Sequence, residues 1–373
     1  MRYSFLIWIA ALLQLQGAEY HISPNGNAEG NGSEESPWDL QTALNHPDVV
    51  QPGDTLWLHG GDYVGSFESV LTGESGNPIV VRQAPGEHAR ICVELIEGKP
   101  PGLYLKGEHA RFQGFEITCL DPKRSTKLSG SWPEDVRRGS VEIRGNHIEA
   151  VNLIVHDLGN GFGFWSQAEG GQIYGCLIYH NGWIGPDRGH GHAIYTQNER
   201  SVKKITDCLI YRQFGSGIHL YGSGNSSLRG FRIDGVAAFD QSVRGGGRNL
   251  LVGGGASLDD IRVSNCYTWD GGIQLGYASD AKNRSVVAEN NYIAGGIRVQ
   301  YPGTFTIRNN TLVAPAGLLI VQLNARDELS KLKFSGNTFH RTGDQWQPFQ
   351  FLAPEGNQSG DLQLLEDLGF AEG

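Results

Sequence analysis

One short phrase recurs along this chain, and nothing else in the sequence limits its fold as sharply. The regular copies are Cys176-Leu-Ile-Tyr, Cys208-Leu-Ile-Tyr, Cys266-Tyr-Thr-Trp, Asn291-Tyr-Ile-Ala, Asn310-Thr-Leu-Val and Asn337-Thr-Phe-His, spaced by 32, 58, 25, 19 and 27 residues. The widest gap holds a weaker copy at Gly235-Val-Ala-Ala. Each copy is a short β-rich segment bounded by Gly, Asn or Asp. A unit this small has no partner for its own apolar face, so it must stack on its neighbours, as the coils of a solenoid do. The copies lack the amphipathic ten-residue stretches of helical repeats. A parallel β-helix fits.

A second strand follows most copies: Gly161–Trp165, Ala193–Gln197, Gly217–Tyr221, Asn249–Gly253, Gly272–Gly276 and Gly296–Gln300. Side chains alternate faces along a strand. Ile194 with Thr196, Ile218 with Leu220, Leu250 with Val252, Ile273 with Leu275 and Ile297 with Val299 share the apolar parity and should face in. The outward parity then carries one column of Tyr195, His219, Leu251, Gln274 and Arg298. A second column holds Trp165, Gln197, Tyr221 and Gln300, with Gly253 and Gly276 leaving room between. A solvated strand would carry Lys, Glu, Ser and Thr there. This face reads as aromatic and amide-rich, with no carboxylate.

Aromatic faces suit sugar rings, while amides and Arg suit hydroxyls and carboxylates. Hydrolysis of a glycosidic bond needs paired carboxylates, and the face supplies none. Asp240 and Asp270 fall at coil corners, where Asp serves turns. β-Elimination on a uronate needs proton-transfer groups and a neutralised carboxylate. The sequence therefore predicts His219 as base or carboxylate partner, Tyr221 or Tyr195 as the other proton-transfer group, and Arg298 at the reacting carboxylate. Trp165, Arg188, His190, His192, Gln197, Arg248, Gln274 and Gln300 are the expected substrate-binding residues. His190 and His192 beside Asp187 are read as groove wall, with no metal ligand assigned.

The opening of the chain adds a resemblance. Ser23-Pro24-Asn25-Gly26, Pro52-Gly53-Asp54-Thr55, Gly61-Asp62-Tyr63 and Asn77-Pro78-Ile79 resemble the N-terminal grammar of secreted right-handed parallel β-helix proteins of the pectate lyase-like superfamily, especially the chondroitinase B and alginate lyase group. The resemblance spans roughly residues 20–345. It implies an all-β, single-stranded right-handed parallel β-helix and a polysaccharide lyase acting on an acidic polysaccharide. That group's calcium-site acid cluster and Lys base have no clear copy here, so no cofactor is assigned, calcium being the one left open. A C5-epimerase, a non-catalytic glycan binder and a structural solenoid are the alternatives.

The remaining features set the expected boundaries. A charged start, an apolar run from Phe5 to Leu13 and a small-residue end at Gly17-Ala18 read as a signal peptide over 1–18, giving a secreted, periplasmic or cell-surface protein. Ser36 to Leu44 reads as a helix capping the first coil. The β-helix is expected over 19–345 and a C-terminal tail or cap over 346–373, in a monomer. Net charge is −10, which argues against a nucleic-acid surface, and no further stretch is apolar enough to span a membrane. Gly is 53 of 373 residues, about twice the usual share, as turn-rich coils require. The three repeat cysteines fall at one place in their coils and are expected as buried thiols with at most one bridge among all five. The polar stretch 121–140 is expected to be a solvated excursion, a functional loop being the alternative.

Overall fold

A computed structural model describes residues 17–94, 100–136, 138–223, 227–245, 247–315, 317–343 and 347–370; the expected signal peptide lies almost wholly outside them. Each coil contributes three strands rather than two, and the coils stack into sheets of twelve, twelve and eleven strands. In one coil the strands are Gln172–Tyr174, Leu177–Tyr179 and Ile194–Thr196. In the next they are Lys203–Thr206, Leu209–Tyr211 and Ile218–Leu220. The strand before each repeat phrase is easily missed, because it is only three or four residues long in most coils and runs into the phrase through a single turn residue.

That turn residue explains the punctuation. Asn152, Gly175, Asp207, Gly235, Asn265, Asn290, Asn309 and Gly336 all have φ between 51° and 65°, the left-handed region that Gly, Asn and Asp tolerate best. The N–H of each but Gly336, in the last coil, donates to the next coil, as where Gly175 donates to the Thr206 carbonyl (3.0 Å). A Cβ at Gly175 would meet the Asn152 side chain at 2.1 Å, so glycine is the residue that fits above that Asn.

The residue after the turn points inward. Cys176, Cys208, Val236 and Cys266 are buried there, followed by Asn291 and Asn310. The Asn members form a ladder: the Asn291 side-chain amide donates to Asn310 Oδ1 (2.8 Å), and Asn310 donates to Asn337 Oδ1 (3.0 Å). All five cysteines are free and buried. Amides at the next corner build a second ladder, with Asn181 and Gln213 sharing a 3.1 Å bond and the Gln213 N–H donating to Gln241 (3.3 Å).

The third sheet has the expected register: Ile194 pairs with Ile218, then Leu250, Ile273 and Ile297, all buried. Helix Leu40–Leu44 is capped by Asp39, which accepts from the Thr42 N–H (2.9 Å), and Trp38 and Leu44 close one end of the core. At the other end the third sheet continues past 345 through Phe349–Leu352 and Gln358–Gly360, and helix Leu362–Asp367 follows. Among the described residues, no helix is long and apolar enough to cross a membrane.

The 121–140 stretch is more than a solvated excursion. The Arg138 guanidinium is buried in it, donating to the carbonyls of Asp121, Cys119 (3.2 Å), Lys123 (2.8 Å) and Asp157 (3.0 Å). Arg124 donates to the Asp157 carboxylate and to the His180 carbonyl (2.7 Å). The stretch also pairs with a hairpin, Trp183–Ile184 against Gly189–His190, through backbone bonds between Thr126, Ile184 and Arg124.

Candidate active site

These two segments wall a cleft of about 410 Å³ over the third sheet. Its floor comes from the outward columns. Tyr195 and His219 are register partners, with ring centroids 5.4 Å apart. Tyr221 lies 5.9 Å from Tyr195 and 5.4 Å from His219, and Trp165 meets Tyr195 edge-on at 5.8 Å. Gln197 completes the floor, while Arg188, His190 and His192 line the hairpin side. Eight of the residues expected from the sequence thus share one cleft.

His192 sits directly behind His219. His219 Nδ1 lies 3.3 Å from His192 Nε2, and His192 Nδ1 faces the Ser216 backbone, 3.2 Å from its N–H and 3.3 Å from its carbonyl. Burial pushes the His219 pKa down to about 2 and that of His192 to about 4, with Arg188 adding to both and each histidine further lowered by a neighbouring one. Both rings are therefore uncharged at neutral pH. Burial also pushes the Tyr195 phenol up to about 12, so it keeps its proton. A tyrosine and an uncharged histidine in van der Waals range make a donor and an acceptor for two protons.

His190 differs from the other two histidines. It stacks on Trp183 (5.2 Å) and bonds Asp187 Oδ1 (2.9 Å), so it braces the hairpin. Arg188 pairs with the other Asp187 oxygen (2.8 Å) and remains largely exposed.

Four expected residues lie outside the cleft. Gln274 is buried and donates to Gln300 (2.5 Å), which donates to Gln322 (2.7 Å); amides repeating on successive coils satisfy one another. Arg298 is three coils from His219 in its column. With Arg248 it lines a separate cavity of about 210 Å³, so Arg298 is not positioned beside His219. The spacing arithmetic, which counts columns without counting coils, missed that separation.

The sequence reading also overlooked a carboxylate. Glu142 occupies the Tyr195 column two coils away, where it accepts from the Trp165 indole, from Ser140 and from Arg144 (3.1 Å). It fixes the indole, with the Arg144 guanidinium 5.8 Å above the ring. Trp132, from the 121–140 stretch, lies 6.3 Å from Trp183 and lines the cleft. Neither residue lies in a repeat phrase, so no periodic signal marked them. The buried Lys203 ammonium donates to the carbonyls of Phe164 (3.2 Å), Trp165 (2.5 Å) and Gln197 (2.8 Å) from inside the coil, tying down the backbone of two floor residues.

The cleft-lining residues include no Asp or Glu, so the paired carboxylates of a glycosidase are not assembled there. The described residues also bring together no group of three His, Cys, Asp or Glu side chains able to hold a metal ion.

Three stacked parallel sheets with an aromatic cleft on one flank define the class of parallel β-helix proteins. Residues 20–312 match the family model described as Pel9A-like, right handed beta helix region, and the chain belongs to that family, which gives the coil its right-handed sense. Pectate lyase L of Dickeya dadantii (strain 3937) is 23% identical over 297 residues, 71% of this chain and 68% of the relative. The crystal structure of pectate lyase Pel9A superposes with a TM-score of 0.56 at 15% identity, covering 90% of this chain and 80% of that one. A rhamnogalacturonan lyase gives 0.57 at 13% identity, covering 83% of each.

Proposed function

We propose that this chain is an exported polysaccharide lyase that cleaves a uronate-containing polysaccharide by β-elimination in the Tyr195–His219 cleft. The observation that carries the reading is an uncharged, desolvated histidine pair beside a protonated tyrosine on an aromatic floor. Relatives named as pectate lyases support the class and make polygalacturonate the first substrate to test.

In this reading the ring of one uronate stacks between Trp165 and Trp132. Gln197 and Arg188 hold its carboxylate, which stabilises the enolate that forms when C5 loses its proton. The reaction uses the tautomer in which His192 Nδ1–H donates to the Ser216 carbonyl (3.3 Å) and Nε2 accepts Nδ1–H of His219, leaving His219 Nε2 with a free lone pair for that proton; the opposite tautomer, with His192 Nδ1 accepting from the Ser216 N–H (3.2 Å), would place the proton on His219 Nε2. The approaching anionic uronate offsets the desolvation of His219 and raises its proton affinity in the complex. Tyr195 gives its proton to the leaving oxygen as the C4–O bond breaks, and the product carries a C4–C5 double bond conjugated with the carboxylate.

The test is ultraviolet absorbance of that conjugated product on a panel of acidic polysaccharides, with calcium and with chelator. A rise on polygalacturonate is expected. Binding without any rise would reduce the cleft to a recognition surface, and solvent deuterium at C5 without cleavage would make it an epimerase. Export and a monomeric state belong to the same proposal: the mature protein should begin at Glu19 by N-terminal sequencing and elute from light-scattering chromatography at the mass of one chain.

A further inference from the structure

The cavity that holds Arg248 and Arg298 is separate from the His219 cleft, and its composition is unusual. Its floor is glycine, from Gly272, Gly295, Gly296 and Gly317. Both arginines are half-buried, yet among the described residues no carboxylate lines the cavity and neither side chain has a hydrogen bond or ion pair. Several other partly buried arginines here are paired, as Arg124 is with Asp157 and Arg90 with Asp62, while Arg82 lies over the Trp57 ring with its Nε unpartnered. Two partly desolvated cations facing one small space repel each other, and burial together with the nearby Arg298 lowers the Arg248 pKa. Such an arrangement costs stability unless an anion completes it.

Its position identifies the anion. Arg298 follows His219, Leu251 and Gln274 up one column, three coil steps or roughly 14 Å along the helix axis at ~4.8 Å per coil. A pyranose ring with its glycosidic oxygen has a length comparable with one such step. Between the two sites the neighbouring outward column is Gly253 and Gly276, which raise no side chain across the path.

We infer that Arg248 and Arg298 form a carboxylate subsite that grips the uronan about three rings from the bond being broken. This rests on the lyase reading for the identity of the chain, but the subsite can be tested without turnover. It makes the protein a reader of chain length: short oligomers occupy the cleft alone, and longer ones gain a second charged anchor.

The experiment is calorimetric titration of a His219→Ala background with galacturonate oligomers from dimer to octamer, alongside a fully methyl-esterified hexamer. Affinity is expected to step up by about tenfold or more, the worth of a charge-assisted bond, once oligomers reach the cavity. The step should vanish in Arg298→Gln and Arg248→Gln, survive in part in Arg298→Lys, and be absent for the ester. A step that persists in both Gln variants overturns the subsite, as does a Gln variant that weakens the dimer and the octamer equally. An Arg-dependent step in a protein that never yields unsaturated product would keep the subsite and remove the lyase reading. Unsaturated product with no Arg-dependent step would do the reverse.

Discussion

His219 carries two separable expectations. As the proton acceptor its removal in His219→Ala should lower kcat by about 10²–10⁴-fold, as should Tyr195→Phe if the phenol is the donor; retained activity in both would end the assignment. The second expectation concerns pH. Both histidines titrate well below their ordinary 6.5, so kcat/KM should show no histidine-linked acid limb down to about pH 5, where an ordinary histidine would already be charged. The stability linkage has the opposite visibility. An unfolded chain takes up protons on these rings below about pH 6.5 and the folded one does not, so stability is full above that pH and falls as the solution is acidified. His192→Gln should flatten the decline between pH 7 and 5 by about 1–2 kcal/mol in denaturant titrations. His156, whose partners Asp157 and Glu116 raise its pKa against the lowering effect of burial, titrates in the other direction in both proteins and cancels in the difference.

At the scale of elements, repetition decided what could be read in advance. Tyr195, Gln197, His219 and Tyr221 were legible because a period-two strand inside a regular coil fixes face and neighbour together. Glu142 and Trp132 were not. One lies on a three-residue strand outside the repeat phrases, and the other lies in a stretch whose fold depends on Arg138 donating to carbonyls scattered from Cys119 to Asp157. The first strand of each coil was hidden for a related reason: one left-handed Asn, Asp or Gly separates it from the phrase, and three residues give too few alternations to call. Lys203 shows what such hidden contacts are worth. Lys203→Met should cost about 2–4 kcal/mol, since its carbonyl partners lose a buried donor, and KM should rise because the backbone at Trp165 and Gln197 loosens. A melting temperature and KM both unchanged would assign Lys203 no part in holding the floor.

The whole molecule is a one-dimensional stack closed at both ends, by Trp38 and the helix Leu40–Leu44 on one side and by Gln358–Gly360 with the helix Leu362–Asp367 on the other. Stability in such a stack is a sum over coils and their interfaces. Asn310→Ala breaks the ladder, removing the acceptor of the Asn291 backbone N–H (3.0 Å) and side-chain amide (2.8 Å) and the donor to the Ala288 carbonyl (2.9 Å), and should destabilise by about 2–4 kcal/mol, read from chemical denaturation. Asn310→Asp should behave no better, because a carboxylate cannot return the amide donor.

The column of Cys176, Cys208 and Cys266 carries a different consequence. No thiol in the finished coil meets solvent, so a thiol-reactive dye should label none of the five in the native protein and all five after unfolding. If the chain is delivered to an oxidising compartment, those thiols survive only by disappearing into the coil faster than they are oxidised. The reduced column would then be a timestamp: it records that stacking won a race, and the fraction of molecules that lost would accumulate as cross-linked chains unable to close their coils.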